Sequence, residues 1–154
     1  MLCLLLAATA GCDRVTKHYA LTTLAGNPGQ SYLGDTLRLD YYENSGGFLS
    51  AGADWRPATR TVVFQLANGV FLLGTLILAL RYQWSRWASA GLILFIAGGL
   101  SNLIDRVAMG TVIDFMNIGV GPFRTGIFNV ADVAIMVGIA LLVADRSRSR
   151  AGAV

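Results

Sequence analysis

The feature that most constrains this chain is a set of apolar runs as long as a bilayer is thick, broken at a few places by carboxylates. A helix rises 1.5 Å per residue, so about 20 apolar residues cross the roughly 30 Å of hydrocarbon. Val62 to Leu80 meets that length without a charge, and Trp87 to Ile104 meets it between Arg86 and Asp105. Thr125 to Ala144 meets it with one interruption, Asp132. A fourth run, from the N-terminus through Leu24, is apolar to Cys12 and then carries Asp13, Arg14, Lys17 and His18. The expectation is an all-α membrane protein, a single integral-membrane domain over residues 1–154. Its four transmembrane helices are placed at about 1–24, 62–80, 87–105 and 125–144.

Composition agrees. The chain is 55% hydrophobic and 14% charged, against about 25% charged residues in a soluble domain. It is too hydrophobic for disorder, and a net charge of +3 without clusters offers no nucleic-acid surface. Cys3 and Cys12 lie in one apolar run with no CxxC spacing and no Cys/His cluster, so they name neither a metal site nor a redox pair. No cofactor and no metal are expected. Residues 1–12 alone would also suit a signal peptide, with Thr9-Ala10-Gly11-Cys12 as a cleavage box, but no Lys or Arg precedes Arg14. The basic n-region of such a peptide is missing.

Four spans put both termini on one side. Arg81 and Arg86 join the second and third spans, and Arg146, Arg148 and Arg150 follow the fourth. Short basic segments beside helix ends face the cytoplasm, so both termini are placed there, with Tyr82, Trp84 and Trp87 as an interfacial aromatic anchor. Two extracytoplasmic segments remain, about 25–60 and 106–124. Leu37, Leu39 and Tyr41 alternate with Arg38, Asp40 and Tyr42, the period of a half-buried strand, and Asn27-Pro28-Gly29 marks a turn before it. Thr111 to Phe115 is also strand-like. These pieces predict a small extracytoplasmic β-sheet on the membrane surface.

A carboxylate in a bilayer core costs several kcal/mol, so intramembrane acids face the bundle interior and serve a function. Asp13, Asp105 and Asp132 all fall near the same membrane face, with Asp114 in the loop beside them. Asn102, Asp105 and Arg106 share a helix face, as do Asn129 and Asp132. Asp105 and Arg106 read as an internally compensated pair, unless Arg106 serves another carboxylate. Asp13 and Lys17, at i and i+4, read as a structural ion pair. Asp114 and Asp132 then lack an evident partner. Two close carboxylates resist double ionisation, and a proton shared between them suits general acid–base hydrolysis. Spacing alone leaves Asp114 open between a site acid and a solvated loop acid. His18 reads as interfacial, having no nucleophile partner. Asn44-Ser-Gly-Gly-Phe48 reads as a turn after the strand, and Gly98-Gly99 and Gly69 to Gly74 as close helix packing.

Five motifs occur in order along nearly the whole chain: Asp13-Arg-Val-Thr-Lys17, Asn44-Ser-Gly-Gly-Phe48, Asn102-Leu-Ile-Asp-Arg106, Val112-Ile-Asp-Phe115 and Phe128-Asn-Val-Ala-Asp132. The series resembles signal peptidase II, the lipoprotein signal peptidase family. The resemblance implies an intramembrane aspartyl endopeptidase of the bacterial cytoplasmic membrane. It would remove signal peptides from diacylglyceryl-modified prolipoproteins, cutting before the lipidated cysteine. It implies a catalytic dyad of Asp114 and Asp132, with Asp105 as a supporting acid. Asn44, Asn102, Arg106 and Asn129 match positions that line the site and contact substrate, and Asp13 with Lys17 matches a structural pair. The implied partners are a lipid-modified prolipoprotein and membrane lipid. The chain departs from the family pattern at the Asn44 motif, one residue short, at Ser101, where a glycine is usual, and in its short first helix. From the residues alone the rival is a small proton or ion transporter using Asp105 and Asp132, although no inverted repeat or broken helix is visible. A non-catalytic scaffold would leave the buried acids unexplained.

Overall fold

The computed structural model describes residues 2–47 and 50–151, without the side chains of Leu2 and residues 147–151. Met1 of the first expected run, Phe48 of the Asn44 motif and residues 152–154 of the expected domain lie outside the described residues. Four long helices and a four-stranded sheet build the described chain. Helix α1 (Leu2–Tyr19) runs on through a π-helical turn, Ala20–Leu24, as far as the expected first span. Strands β1 (Gln30–Tyr32) and β2 (Leu37–Asn44) follow. Helix α2 (Pro57–Arg81) contains a π-helical stretch, Thr61–Ala67, and contains the expected second span. Helix α3 (Arg86–Met109) leads to β3 (Val112–Val120) and β4 (Phe123–Arg124), and α4 (Val130–Ala151) ends the described chain.

Local chemistry sets the ends of α3. The Ser85 hydroxyl accepts the Ala88 N–H at 3.1 Å, satisfying one orphan donor of the first turn. Gly110 closes the other end at φ 78°, where a side chain would be strained, and returns its N–H to Arg106 O at 3.0 Å. Among the described residues, helices α2 and α3 are the two that are long and apolar enough to cross a bilayer by length and composition.

The closest helix pair is α3 with α4, and glycine makes it possible. A Cβ on Gly98 would stand 2.4 Å from Ala131 O, and one on Gly138 would stand 2.6 Å from Gly91 O. Gly99 is equally tight against the Leu72 side chain of α2. The packing expected of Gly98-Gly99 is therefore found. Gly74 behaves otherwise: open space lies around its Cα, so no neighbour requires a glycine there.

The sheet is antiparallel in the order β1-β2-β3-β4. Its β2–β3 register shifts between Leu39 and Tyr42, a bulge after which Tyr42 pairs with Asp114 and Asn44 with Val112. The expected alternation holds, since Leu37, Leu39 and Tyr41 are half-buried while Arg38, Asp40 and Tyr42 are exposed. Ile113 and Phe115 pack with Ala20 and Leu24, fastening the sheet to the last turn of α1. Val112 to Phe115 is buried at every position, so β3 is covered on both faces at this end.

The expected fourth helix, from Thr125, begins later. Phe128 trades backbone hydrogen bonds with Met116 (2.8 and 2.9 Å), and Thr125 N–H bonds to Ile118 O at 2.7 Å. Pairing with β3 holds this stretch extended, and helix α4 starts only at Val130.

Candidate active site

The start of α4 lies against β3, and Asn129 governs the junction. Its Oδ1 accepts the Asp132 N–H at 2.9 Å, while Asp132 Oδ2 accepts the Asn129 N–H at 3.2 Å. This reciprocal pairing is a capping box, with the carboxylate in the first turn where the helix dipole favours it. The Asn129 Nδ2 is left to donate outward, to Asp114 Oδ1 at 2.7 Å and to Asn102 Oδ1 at 3.2 Å. One fully buried asparagine thus joins both unpartnered acids of the sequence.

Each acid has a further amide. Asn44, brought in by the β2–β3 pairing, donates from Nδ2 to Asp114 Oδ2 at 2.8 Å, and Asn102 donates to Asp132 Oδ1 at 2.9 Å. The expectation that Asp114 and Asp132 lack partners is therefore corrected: neutral amide donors hold both, and no salt bridge involves either among the described residues. Asp114 is not a solvated loop acid, being 1% exposed. Burial pushes its carboxyl up to about 6, the nearby Asp132 charge adds to the rise, and the Asn44 and Asn129 amides restrain it.

Behind this layer lies a buried cluster of cations and acids. Lys17 Nζ stands 2.7 Å from Asp13 Oδ2, 2.7 Å from Asp105 Oδ2, and donates to Asn102 Oδ1 at 2.8 Å. The expected Asp13–Lys17 pair is present, and it is larger than a pair. Asp13 Oδ1 also accepts the Ala131 N–H at 2.9 Å, capping α4 from α1, and Asp13 Oδ2 accepts the Ser101 hydroxyl at 2.6 Å. Asp105 is not compensated by Arg106: Arg14 reaches its Oδ1 at 2.5 Å. Neighbours in sequence on a helix diverge by about 100°, so the two side chains leave α3 in different directions.

Arg106 turns to the other side. Its Nη2 donates to Gly46 O at 2.6 Å, its guanidinium lies 5.7 Å from the centre of the Phe64 ring, and its Nε has no acceptor among the described residues. Gly46 N–H in turn donates to Asn44 Oδ1 at 2.9 Å, so the Asn44 motif is a built turn clasped between Arg106 and Asp114. Gln65, from the π-helical part of α2, donates to Arg106 O at 2.8 Å. Sequence reasoning missed Arg14, Ser101, Phe64 and Gln65. The charge spacing of α1 offered a signal for Arg14, because Arg14 and Lys17 stand at i and i+3 and share a face; the others depend on tertiary contact.

Two grooves meet at Asp132. One, of about 440 Å³, runs between α2, α3 and α4 past Gly99, Asn102 and Arg106 to Ile139. The other, of about 310 Å³, lies on the opposite side of α4 against Thr125, Phe128 and Val137. Among the described residues no group of three or more His, Cys, Asp or Glu side chains stands together as a metal site.

Comparison with known proteins identifies the family and the fold. A family model described as signal peptidase (SPase) II matches residues 5–147. The chain belongs to the signal peptidase II family. It is 33% identical over 143 residues to the lipoprotein signal peptidase of Desulforapulum autotrophicum, covering 92% of this chain and 88% of that one. The lipoprotein signal peptidase of Sphingopyxis alaskensis is 36% identical over 138 residues, covering 86% and 76%. That of Burkholderia cenocepacia is 35% identical over 144 residues, covering 92% and 84%. Two solved bacterial membrane enzymes share the fold, with TM-scores of 0.86 and 0.81. Their identities are 22% and 24%, and the match covers 98% and 93% of this chain and 90% of each of theirs. The fold is therefore shared with those two enzymes, and two of the described helices are long and apolar enough to cross a membrane.

Proposed function

We propose that this chain is a lipoprotein signal peptidase acting as an intramembrane aspartyl endopeptidase, with Asp114 and Asp132 as its dyad. The observation that carries this reading is Asn129, which bonds to both carboxyl groups at once. In the proposed reaction one carboxylate removes a proton from water as the water oxygen attacks the scissile carbonyl. The other, protonated, donates to the carbonyl oxygen, giving a neutral tetrahedral diol. Collapse breaks the C–N bond: the amine leaves with the proton that the first carboxylate took from water, a diol hydroxyl returns its proton to the second carboxylate as the carbonyl re-forms, and the dyad again holds one proton. The raised carboxyl of Asp114 suits it to the proton-holding role.

The two grooves fit a substrate with two apolar parts. The larger, with Asn102 and Arg106 on its wall, suits the signal segment. The smaller groove is apolar apart from Thr125 and Asp132 and suits the acyl chains of a diacylglyceryl cysteine. The scissile bond before that cysteine then meets Asp132. In this reading all four helices span the bacterial cytoplasmic membrane, both termini are cytoplasmic and the sheet lies at the outer face. The transporter alternative is weaker, because Asp105 is held by Arg14 and Lys17 and is not available to pass a proton.

Purified protein in detergent, given lipidated and non-lipidated precursor peptides, tests the reading. Cleavage of the lipidated peptide alone is expected. Asp114→Asn and Asp132→Asn should each lower the rate at least about 1,000-fold while the protein still inserts. Near-normal cleavage by either variant would overturn the dyad.

A further inference from the structure

Lys17 is 3% exposed, and its ammonium group stands 2.7 Å from both Asp13 Oδ2 and Asp105 Oδ2, two ion pairs that balance its charge. It also donates a hydrogen bond to Asn102 Oδ1 at 2.8 Å, and this bond has no part in charge balance. An asparagine side chain is nearly symmetric in shape but opposite in polarity at its two ends. Its orientation decides whether Asp132 meets an N–H donor or a carbonyl oxygen. Lysine has donors only, so it fixes Oδ1 toward α1 and leaves Nδ2 toward Asp132, where it bonds at 2.9 Å.

The second contact on Asn102 Oδ1 reinforces this choice. Asn129 Nδ2 also points there, and Asn129 is itself oriented by the capping box. Lys17 and Asn129 thus both donate to Asn102 Oδ1, and Lys17 is the charged one of the two donors that leave Asn102 Nδ2 facing Asp132.

We propose that Lys17 is a positioning residue for the dyad, orienting Asn102 so that a hydrogen-bond donor faces Asp132. The proposal rests on the peptidase reading above and goes beyond a structural pair with Asp13. Lys17 does not touch the reacting atoms; it acts through Asn102.

The test needs a variant that folds. Lys17→Met leaves a net negative charge among buried carboxylates and is expected to reduce folded yield. The double variant Lys17→Met with Asp13→Asn restores balance, since Arg14 still faces Asp105, and Asn at 13 keeps an oxygen for the Ala131 N–H. With a synthetic diacylglyceryl-cysteine peptide in detergent, the wild type should cleave. The double variant should melt near the wild-type temperature yet lose about 30-fold or more in kcat with KM within about twofold, the scale of losing an outer-layer orienting partner. Lys17→Arg, which keeps donors at this position, should recover much of the kcat. A balanced double variant with near-normal kcat would overturn the proposal and leave the peptidase reading intact. Failure of the wild type to cleave would instead overturn the peptidase reading.

Discussion

Helices α2 and α3 pass the same test of length and apolarity, but only one of them organises the site. Almost none of the apolar window of α2 is buried, and Val70, Phe71, Leu73 and Leu80 stand exposed. Half of the corresponding window of α3 is buried, and its inward face carries Gly91, Gly98, Ser101, Asn102 and Asp105. Large apolar side chains suit a helix that meets lipid; small and polar ones suit a helix that meets other helices, because membrane packing depends on close approach and hydrogen bonds. Hydropathy sees the two as alike. Side-chain size and the spacing of polar residues tell them apart.

The sharpest way to break this contrast is to give α3 bulk. Gly98→Val puts a branched side chain where a single Cβ already meets Ala131 O at 2.4 Å. Displacing the first turn of α4 also displaces Asp132, so loss of cleavage beyond about 100-fold is expected, on the scale of an active-site misplacement of 1 Å, with a lower melting temperature. Next in size, Asp13→Asn leaves Lys17 with one acid fewer in a buried cluster. Breaking such a pair costs about 3–5 kcal/mol, so folded yield should fall severalfold while turnover per folded molecule stays near normal.

A third prediction concerns pH. Asp114 is protonated below about 6 and ionised above it, so kcat/KM should fall along an alkaline limb as pH rises through that value. Because the Asn44 amide favours the ionised form, Asn44→Ala should move this limb to higher pH as well as lower the rate. The same raised value works on stability with the matching sign: its contribution is complete below the ordinary 3.8 and is lost as pH rises through about 6. The smallest effect belongs to α2. Gly74→Ala faces open space, and both cleavage and melting temperature should stay within error of the wild type, with any stability change under about 0.5 kcal/mol.

Much of this arrangement was legible in the sequence. Apolar runs located the long helices, alternation located β2, and the i and i+4 spacing found Asp13 with Lys17. The motif series named Asn44, Asn102, Asn129 and both dyad acids, which the structure brings together; their catalytic and binding roles are the proposal. What was not legible came from contacts between distant segments. The run Thr125 to Phe128 is as apolar as a helix, and only its pairing with Met116 and Ile118 shows why it stays extended. Asp105 looked compensated by Arg106 because adjacent charges suggest a pair, whereas its partners come from α1, 91 residues away for Arg14. Ser101, where the family resemblance led to the expectation of a glycine, uses its hydroxyl on Asp13, a bond that no local pattern signals.

The bond from Asp13 to the Ala131 N–H ties the first helix to the last. Residues far apart along the chain therefore complete one another: helix α4 is seated on a group carried by α1. A fragment that stops before Asn129 holds Asp114 but not Asp132, so the amide link between the two acids cannot form in it.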